Sequence, residues 1–246
     1  MTIIRVLLFA MAILSFQQIN AQKFNKNIDK DSLLQVISKD LPPGKKKELL
    51  KMYKKGNQES KEFLLFMFSM PRSSKAELIS NLQKNHDNIL KLRKEFSGLV
   101  PDSLIVYIEF NPKNVIVSTE ESIDLRIYKK QTSGRTKLVA EKWNLADRSK
   151  DLTETLGILG WDSTTLTKVK TLLSNANCVS LENGEQTVIG FARSGMGKYF
   201  YRIFQSNLKE ESIPEYNNGC TYLFYKDNIV LEYGGGAIGP QCFPDE

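Results

Sequence analysis

The chain has 246 residues, of which 41% are hydrophobic and 25% charged, and a formal net charge of +6. Those proportions belong to a folded globular protein and exclude a disordered or fibrous one. After the N-terminal stretch no run reaches 18 apolar residues, so no mature transmembrane segment is expected.

Met1–Arg5 carries one positive charge, and Val6–Phe16 is an apolar stretch of eleven residues interrupted by Ser15 alone. A polar segment ending Ile19-Asn20-Ala21 follows. This is the layout of a secretory signal peptide cleaved after Ala21; a bilayer span needs roughly 20 apolar residues, so the stretch is too short to be one. The mature chain then begins at Gln22 and works in the periplasm or outside the cell. No cysteine near Ala21 offers itself for lipid attachment, and the lack of any Asn-x-Ser/Thr triplet leans towards a bacterial source.

Residues 22–100 hold 17 Lys/Arg against 9 Asp/Glu, whereas residues 101–246 hold 16 against 19. The basic part reads as helical. Asp31 or Ser32 caps a first helix with Leu33, Leu34, Val36 and Ile37 as its stripe, and Leu41-Pro42-Pro43-Gly44 breaks the chain. Lys45–Lys55 is a basic amphipathic helix ended by Gly56. Glu59–Met70, apolar nearly all round, is expected to be the buried helix of a small bundle. A long helix runs from Ser73 or Ser74 to about Phe96, closed by Gly98 and Pro101. The lysines fall where a helix exposes its polar face, and such a face also suits an anionic envelope or glycan surface; no specific nucleic-acid partner is implied.

At Asp102 the apolar period changes from 3.6 to 2. Leu104–Phe110, Val115–Thr119, Ile123–Tyr128 and Thr136–Trp143 read as an antiparallel meander. Asp147–Lys150 is polar and reads as a linker. One internal helix follows, capped by Asp162 or Ser163, with Leu166, Val169, Leu172 and Leu173 inside. Strands then recur at Cys178–Leu181, Thr187–Ala192, Lys198–Phe204, Thr221–Tyr225 and Asn228–Tyr233, with turns at Asn183-Gly184 and Lys226-Asp227. One or two antiparallel sheets are expected. Gly234–Gly236 and the tail to Phe243 cannot be regular structure, and the apolar Ile238 and Phe243 predict a tail packed across the last hairpin.

There are three cysteines, Cys178, Cys220 and Cys242. An oxidising compartment permits one disulfide, and Cys220–Cys242 closes the shortest loop of the three possible pairings.

No catalytic constellation is complete. His86, the single histidine, rules out multi-histidine zinc sites; it lies four residues after Leu82 and three before Ile89, which predicts a partly buried structural residue on an apolar stripe. Arg193-Ser194-Gly195-Met196-Gly197-Lys198-Tyr199 approaches a P-loop, but Ala192 stands where the first glycine belongs and Tyr199 replaces the metal-holding hydroxyl. A hairpin turn is the plainer account. A minority reading lets Gly195 and Gly197 offer backbone N–H groups to an anion flanked by Arg193 and Lys198. Asn27–Asp31 has the oxygen pattern of a calcium loop but lacks its glycine and its final glutamate. Tyr199 and Tyr201, opposite Tyr222–Tyr225, either lie in a core or offer a platform to sugars or peptides. Trp143 and Trp161 fall near the junction of the two strand groups and are candidates to line a cleft. Asp147, Asp151, Asp162, Glu182 and Glu185 are too scattered to define an acid–base pair. No cofactor is expected.

Gly160-Trp161-Asp162, Ala176-Asn177-Cys178, Arg193–Gly197, Gly219-Cys220-Thr221-Tyr222 and Glu232–Cys242, together with the Asn-Ala-Gln end of the signal, resemble uncharacterised exported proteins of Bacteroidetes-type bacteria. The resemblance covers about the last 90 residues and the signal, and implies no activity.

We therefore expect an α+β protein: a signal peptide at 1–21, a basic helical segment at 22–100, and an antiparallel β-rich domain with one internal helix at 101–246. Its expected role is a non-enzymatic periplasmic or extracellular binding protein for another protein or an anionic surface. The alternative is a hydrolase of peptidoglycan, glycan or peptide working through carboxylates or Cys178 near Trp161. The first measurement is N-terminal sequencing of the protein recovered from outside the cytoplasm. It should begin at Gln22, and an intact Met1 there would refute the signal assignment.

Overall fold

The period-two segments after Asp102 pair into a single sheet of eight antiparallel strands: β1 (Leu104–Asn111), β2 (Ser122–Lys130), β3 (Thr136–Ala146), β4 (Ser180–Glu182), β5 (Gln186–Ser194), β6 (Gly197–Phe204), β7 (Tyr222–Lys226) and β8 (Ile229–Gly234). Their spatial order is β3-β2-β1-β4-β5-β6-β8-β7. The computed structural model describes residues 24–39, 41–117, 120–235, 239 and 241–244. The signal segment, its cleavage point, and Gly236, Ala237, Ile238 and Pro240 lie outside the described residues.

Seven α-helices occur among the described residues: α1 (Lys30–Lys39), α2 (Pro43–Lys55), α3 (Gln58–Ser69), α4 (Lys75–Lys84), α5 (His86–Leu99), α6 (Lys150–Ile158) and α7 (Ser163–Asn175). The chain is thus mixed α+β. Helices α4 to α7 cover one face of the sheet. Leu82, Ile89, Phe96, Leu156 and Val169 from the helices share one core with Ile108, Leu125, Ile189, Tyr201 and Leu231 from the strands. Each such side chain contributes about 1.5–3 kcal/mol on burial. The core therefore runs through residue 100 without dividing there.

Helices α1 to α3 have a smaller core of their own around Leu49, Leu64 and Leu65. Lys30 of α1 is paired with Glu62 of α3 at 2.7 Å. Two backbone bonds join this unit to the rest: Gly195 N–H donates to the Pro71 carbonyl at 2.8 Å and Asn25 N–H to the Ile116 carbonyl at 2.7 Å. Helix α3 is not the enclosed helix expected from its composition. Phe63 is 61% exposed, with α1 and α2 as the helices packed closely against α3.

Other expectations are corrected by local chemistry. The long helix from Ser73 is two helices. Ser74 opens α4 with a capping box to Glu77, and Asn85 ends it with φ −115° and ψ 20°, its side-chain amide turned back to donate to Asn81 Oδ1 at 2.8 Å. His86 then opens α5 partly buried beside Asp87, as its spacing from Leu82 and Ile89 predicts. Where a strand was expected from Val115, Val115–Val117 form one 3-10 turn. The presumed linker at Asp147–Lys150 conceals a cap: the Ser149 hydroxyl accepts from Leu152 N–H and starts α6, so the sheet region has two internal helices rather than one. Asp162 caps α7 by accepting from Thr165 N–H at 2.7 Å. Among the described residues there is one sheet, so the two tryptophans do not mark a junction between sheets.

Cys220 and Cys242 form the disulfide, and Cys178 is free and buried. Phe243 N–H donates to the Cys220 carbonyl at 2.9 Å, and its ring lies against Tyr199 and Tyr233. The tail is thus tied down beside the last strands. Because the bridge spans 22 residues, replacing both cysteines by serine should lower unfolding free energy by about 3 kcal/mol through the loop entropy released to the unfolded chain. Urea denaturation of the double variant measures the loss, and an unchanged midpoint would contradict it.

Candidate functional site

The Gly195-Met196 turn joins β5 to β6 with Ser194 opposite Gly197, as the hairpin reading predicts. Gly195 takes φ +60°, a conformation that favours glycine. The groups meant for an external anion are already engaged within the protein. Gly195 N–H serves the Pro71 carbonyl. A Cβ on Gly197 would sit 2.8 Å from the Tyr233 hydroxyl, so the glycine is there for packing. Arg193 and Lys198 both converge on Glu109 of β1, at 2.7 and 2.6 Å, and the Tyr107 hydroxyl donates to the same carboxylate. The anion in the cradle is the protein's own glutamate.

This network lies on the face of the sheet opposite the helices. Glu109 is 2% exposed and Lys198 4%. Ser180 stands in register with Glu109, and Gly190 with Ser180; Ser180 and Gly190 are the smallest residues of their strands. A Cβ on Gly190 would come 2.1 Å from Ser180 Oγ and 3.0 Å from Lys198 Cδ, so the lysine reaches Glu109 across a gap that a larger residue would fill. Burial alone would push the Glu109 carboxyl up; the charges of Lys198 and Arg193 and the bonds from Lys198 and Tyr107 outweigh it and hold the group below the usual carboxylate range. The same burial lowers the Lys198 ammonium against the pull of Glu109. The carboxylate, held by three donors, is the member that responds to acid.

Tyr199 and Tyr201 point to the other face and are buried. Tyr201 donates to the Leu78 carbonyl at 2.8 Å, and Trp161 packs edge-on to Phe96 with its Nε1–H on the Leu99 carbonyl at 2.9 Å. None of these three rings is presented to solvent, so they act as core rather than as a binding platform.

A cleft of about 1000 Å³ opens on the helical side between α4 and α7. Its floor is apolar, made by Phe110, Ile123, Phe191 and Leu173, and its walls carry Ser80, Asn81, Thr167 and Ser174. Lys84, Glu77 and Asp147 stand around it, and Lys170 is paired with Glu121 at 2.9 Å across one side. At its base is a saturated amide knot. Asn81 donates to the Ala176 carbonyl at 3.2 Å and to the Tyr201 hydroxyl at 3.0 Å. It accepts from Asn85 at 2.8 Å and from Asn177 at 3.0 Å. Cys178 borders the cleft, but its Sγ–H donates to the Ala176 carbonyl at 3.3 Å and burial pushes the thiol well up, the reverse of what a nucleophile needs. Among the carboxylates once considered, Asp162 is a helix cap, Asp151 lies near Lys142 at 3.7 Å, and Glu182 is on the opposite face. Among the described residues no group of His, Cys, Asp and Glu is placed to hold a metal ion.

No family model, curated protein or solved structure matches this chain.

Glu109 and Asn81 were not singled out in the sequence. Glu109 reads there as one polar residue in an alternating strand, and its partners lie 84 and 89 positions away. Glu109→Gln leaves Lys198 buried without a full charge partner and should cost about 3–5 kcal/mol at pH 7. Because the folded-state pKa of Glu109 lies below its unfolded value, that advantage is present above the ordinary glutamate pKa and is lost as pH falls through the folded value. Denaturation from pH 7 down to 3 should show the two curves converging; a constant gap would contradict the ion-pair account.

Proposed function

We propose that this is an exported binding protein that holds a neutral polar ligand, a glycan or peptide fragment, in the cleft between α4 and α7. The observation that carries the proposal is the cleft itself. Its volume is that of a small-molecule site, with an aromatic and aliphatic floor, hydroxyl and amide groups on its walls, and charges of both signs, partly paired with each other, around them. Phe110 and Phe191 suit the apolar faces of sugars or side chains. Ser80, Thr167 and Ser174 suit hydroxyl and amide groups, which hydrogen-bond without the desolvation cost of a charge.

Export is supported by the leader-like N-terminus and by the Cys220–Cys242 bridge, which persists in oxidising compartments. The basic helices supply the second part of the proposal. Lys45, Lys47, Lys51, Lys54 and Lys55 of α2 are all exposed, beside exposed Leu50 and Met52. They would keep the protein near anionic envelope surfaces.

The test is equilibrium dialysis of the mature protein against a soluble digest of peptidoglycan, which supplies both sugar and peptide units, with mass spectrometry of what is retained. Ser174→Trp, which places an indole in the cleft, should abolish retention. Raising salt should leave retention intact while releasing the protein from anionic envelope fragments. Retention that is absent, or the same in the blocked variant, would sink the cleft assignment.

A further inference from the structure

The sheet face opposite the helices carries an arginine that, among the described residues, forms no ion pair with a carboxylate, although its charge reaches Glu182. Arg126 of β2 has a buried Nε without a hydrogen-bond partner, the one such side-chain atom among the described residues. Its guanidinium lies 4.2 Å from the centroid of the Tyr107 ring and 5.4 Å from that of Trp143. The other arginines of this face are engaged: Arg193 with Glu109, and Arg202 with Glu232 and Gln186. That Nε is enclosed by the protein, so this guanidinium meets a ligand only through its Nη groups.

Trp143 is brought to this position by a deliberate irregularity. The β2–β3 register passes from Ile123 opposite Leu145 to Leu125 opposite Lys142, so Trp143 and Asn144 together face Asp124. Asn144 takes φ 55°, in the left-handed region, and its N–H donates to the buried Asp124 carboxylate at 2.8 Å. A bulge of this kind re-aims a side chain. Here it leaves an indole 51% exposed beside the Arg126 guanidinium. Glu182 completes the row: Tyr107 is in register with Arg126 on one side and with Glu182 on the other. Burial pushes the Glu182 carboxyl up, with Arg126 and Arg202 only partly opposing, so it gains from a donor brought by a ligand.

We propose that Arg126, Trp143 and Glu182 form a site for a hexuronic acid unit of an acidic glycan. The guanidinium receives the sugar carboxylate through its two Nη groups, the indole lies against the apolar C–H face of the sugar ring, and Glu182 accepts from sugar hydroxyls. A carboxylate fits better than a phosphate. A planar carboxylate matches the two Nη groups lying in one plane, and the neighbouring Glu182 opposes a dianion more strongly than a monoanion.

The test is calorimetric titration of the mature protein with trigalacturonate, followed in parallel by tryptophan fluorescence. Binding with a change in indole emission is expected, at least tenfold tighter than that of neutral galactotriose. Arg126→Ala and Trp143→Ala should each weaken it at least tenfold, and the latter should remove the emission change. Trp143 stands exposed on an edge strand, so its variant carries the test if Arg126→Ala does not fold. The cleft-blocking Ser174→Trp should leave uronate binding untouched, which separates the two sites. Absence of trigalacturonate binding, equal affinity for galactotriose, full affinity in either variant, or displacement by equimolar inorganic phosphate would each overturn the proposal.

Discussion

A three-residue strand joins the two halves of the sheet, and the Glu109 network spans that weak point. β3-β2-β1 on one side and β5-β6-β8-β7 on the other meet through β4, which pairs with β1 at only three positions. Lys198 of β6 and Arg193 of β5 reach over β4 to the Glu109 carboxylate of β1. Burying these charges is costly, and a well-packed apolar substitute is often no less stable. What the charges add is uniqueness: Glu109 satisfies three donors only when β1, β5 and β6 hold this register. The lane of Ser180 and Gly190 is the steric condition for that meeting, so two small residues and one carboxylate together set how the halves close.

The helical side has a matching device without charge. Asn81 draws α4, the end of α7 and β6 together through four side-chain bonds. A fully satisfied polar knot rigidifies its surroundings. The cleft walls that start from it therefore have a defined spacing, a condition for holding a small ligand without paying to order the site first.

Much of the architecture was legible because it is local. The switch of apolar period at Asp102, the Asn183-Gly184 and Gly195-Met196 turns and the cap at Asp162 all follow from neighbouring residues, and the Cys220–Cys242 bridge is the pairing of shortest loop. What was missed either broke a pattern at one residue or joined distant ones. Asn85 splits a stripe that looks continuous, since its amide prefers Asn81 to the helix. Ser149 starts a helix inside a run that is polar enough to pass for a linker. The candidate sites were hardest to see. Arg193 and Lys198 look like free cations until register brings Glu109 between them. Tyr201 looks like a platform until the parity of β6 turns it to the core. Trp143 is aimed by a bulge that period-two counting cannot anticipate.

The strand order has a consequence for the sequence of events in folding. β8 lies between β6 and β7, although the chain makes β7 first. Until residues 229–234 are available, β6 keeps an unpaired edge and β7 has no neighbour. The right-hand part of the sheet is therefore completed only by the last stretch of chain, and the disulfide then locks the segment behind it.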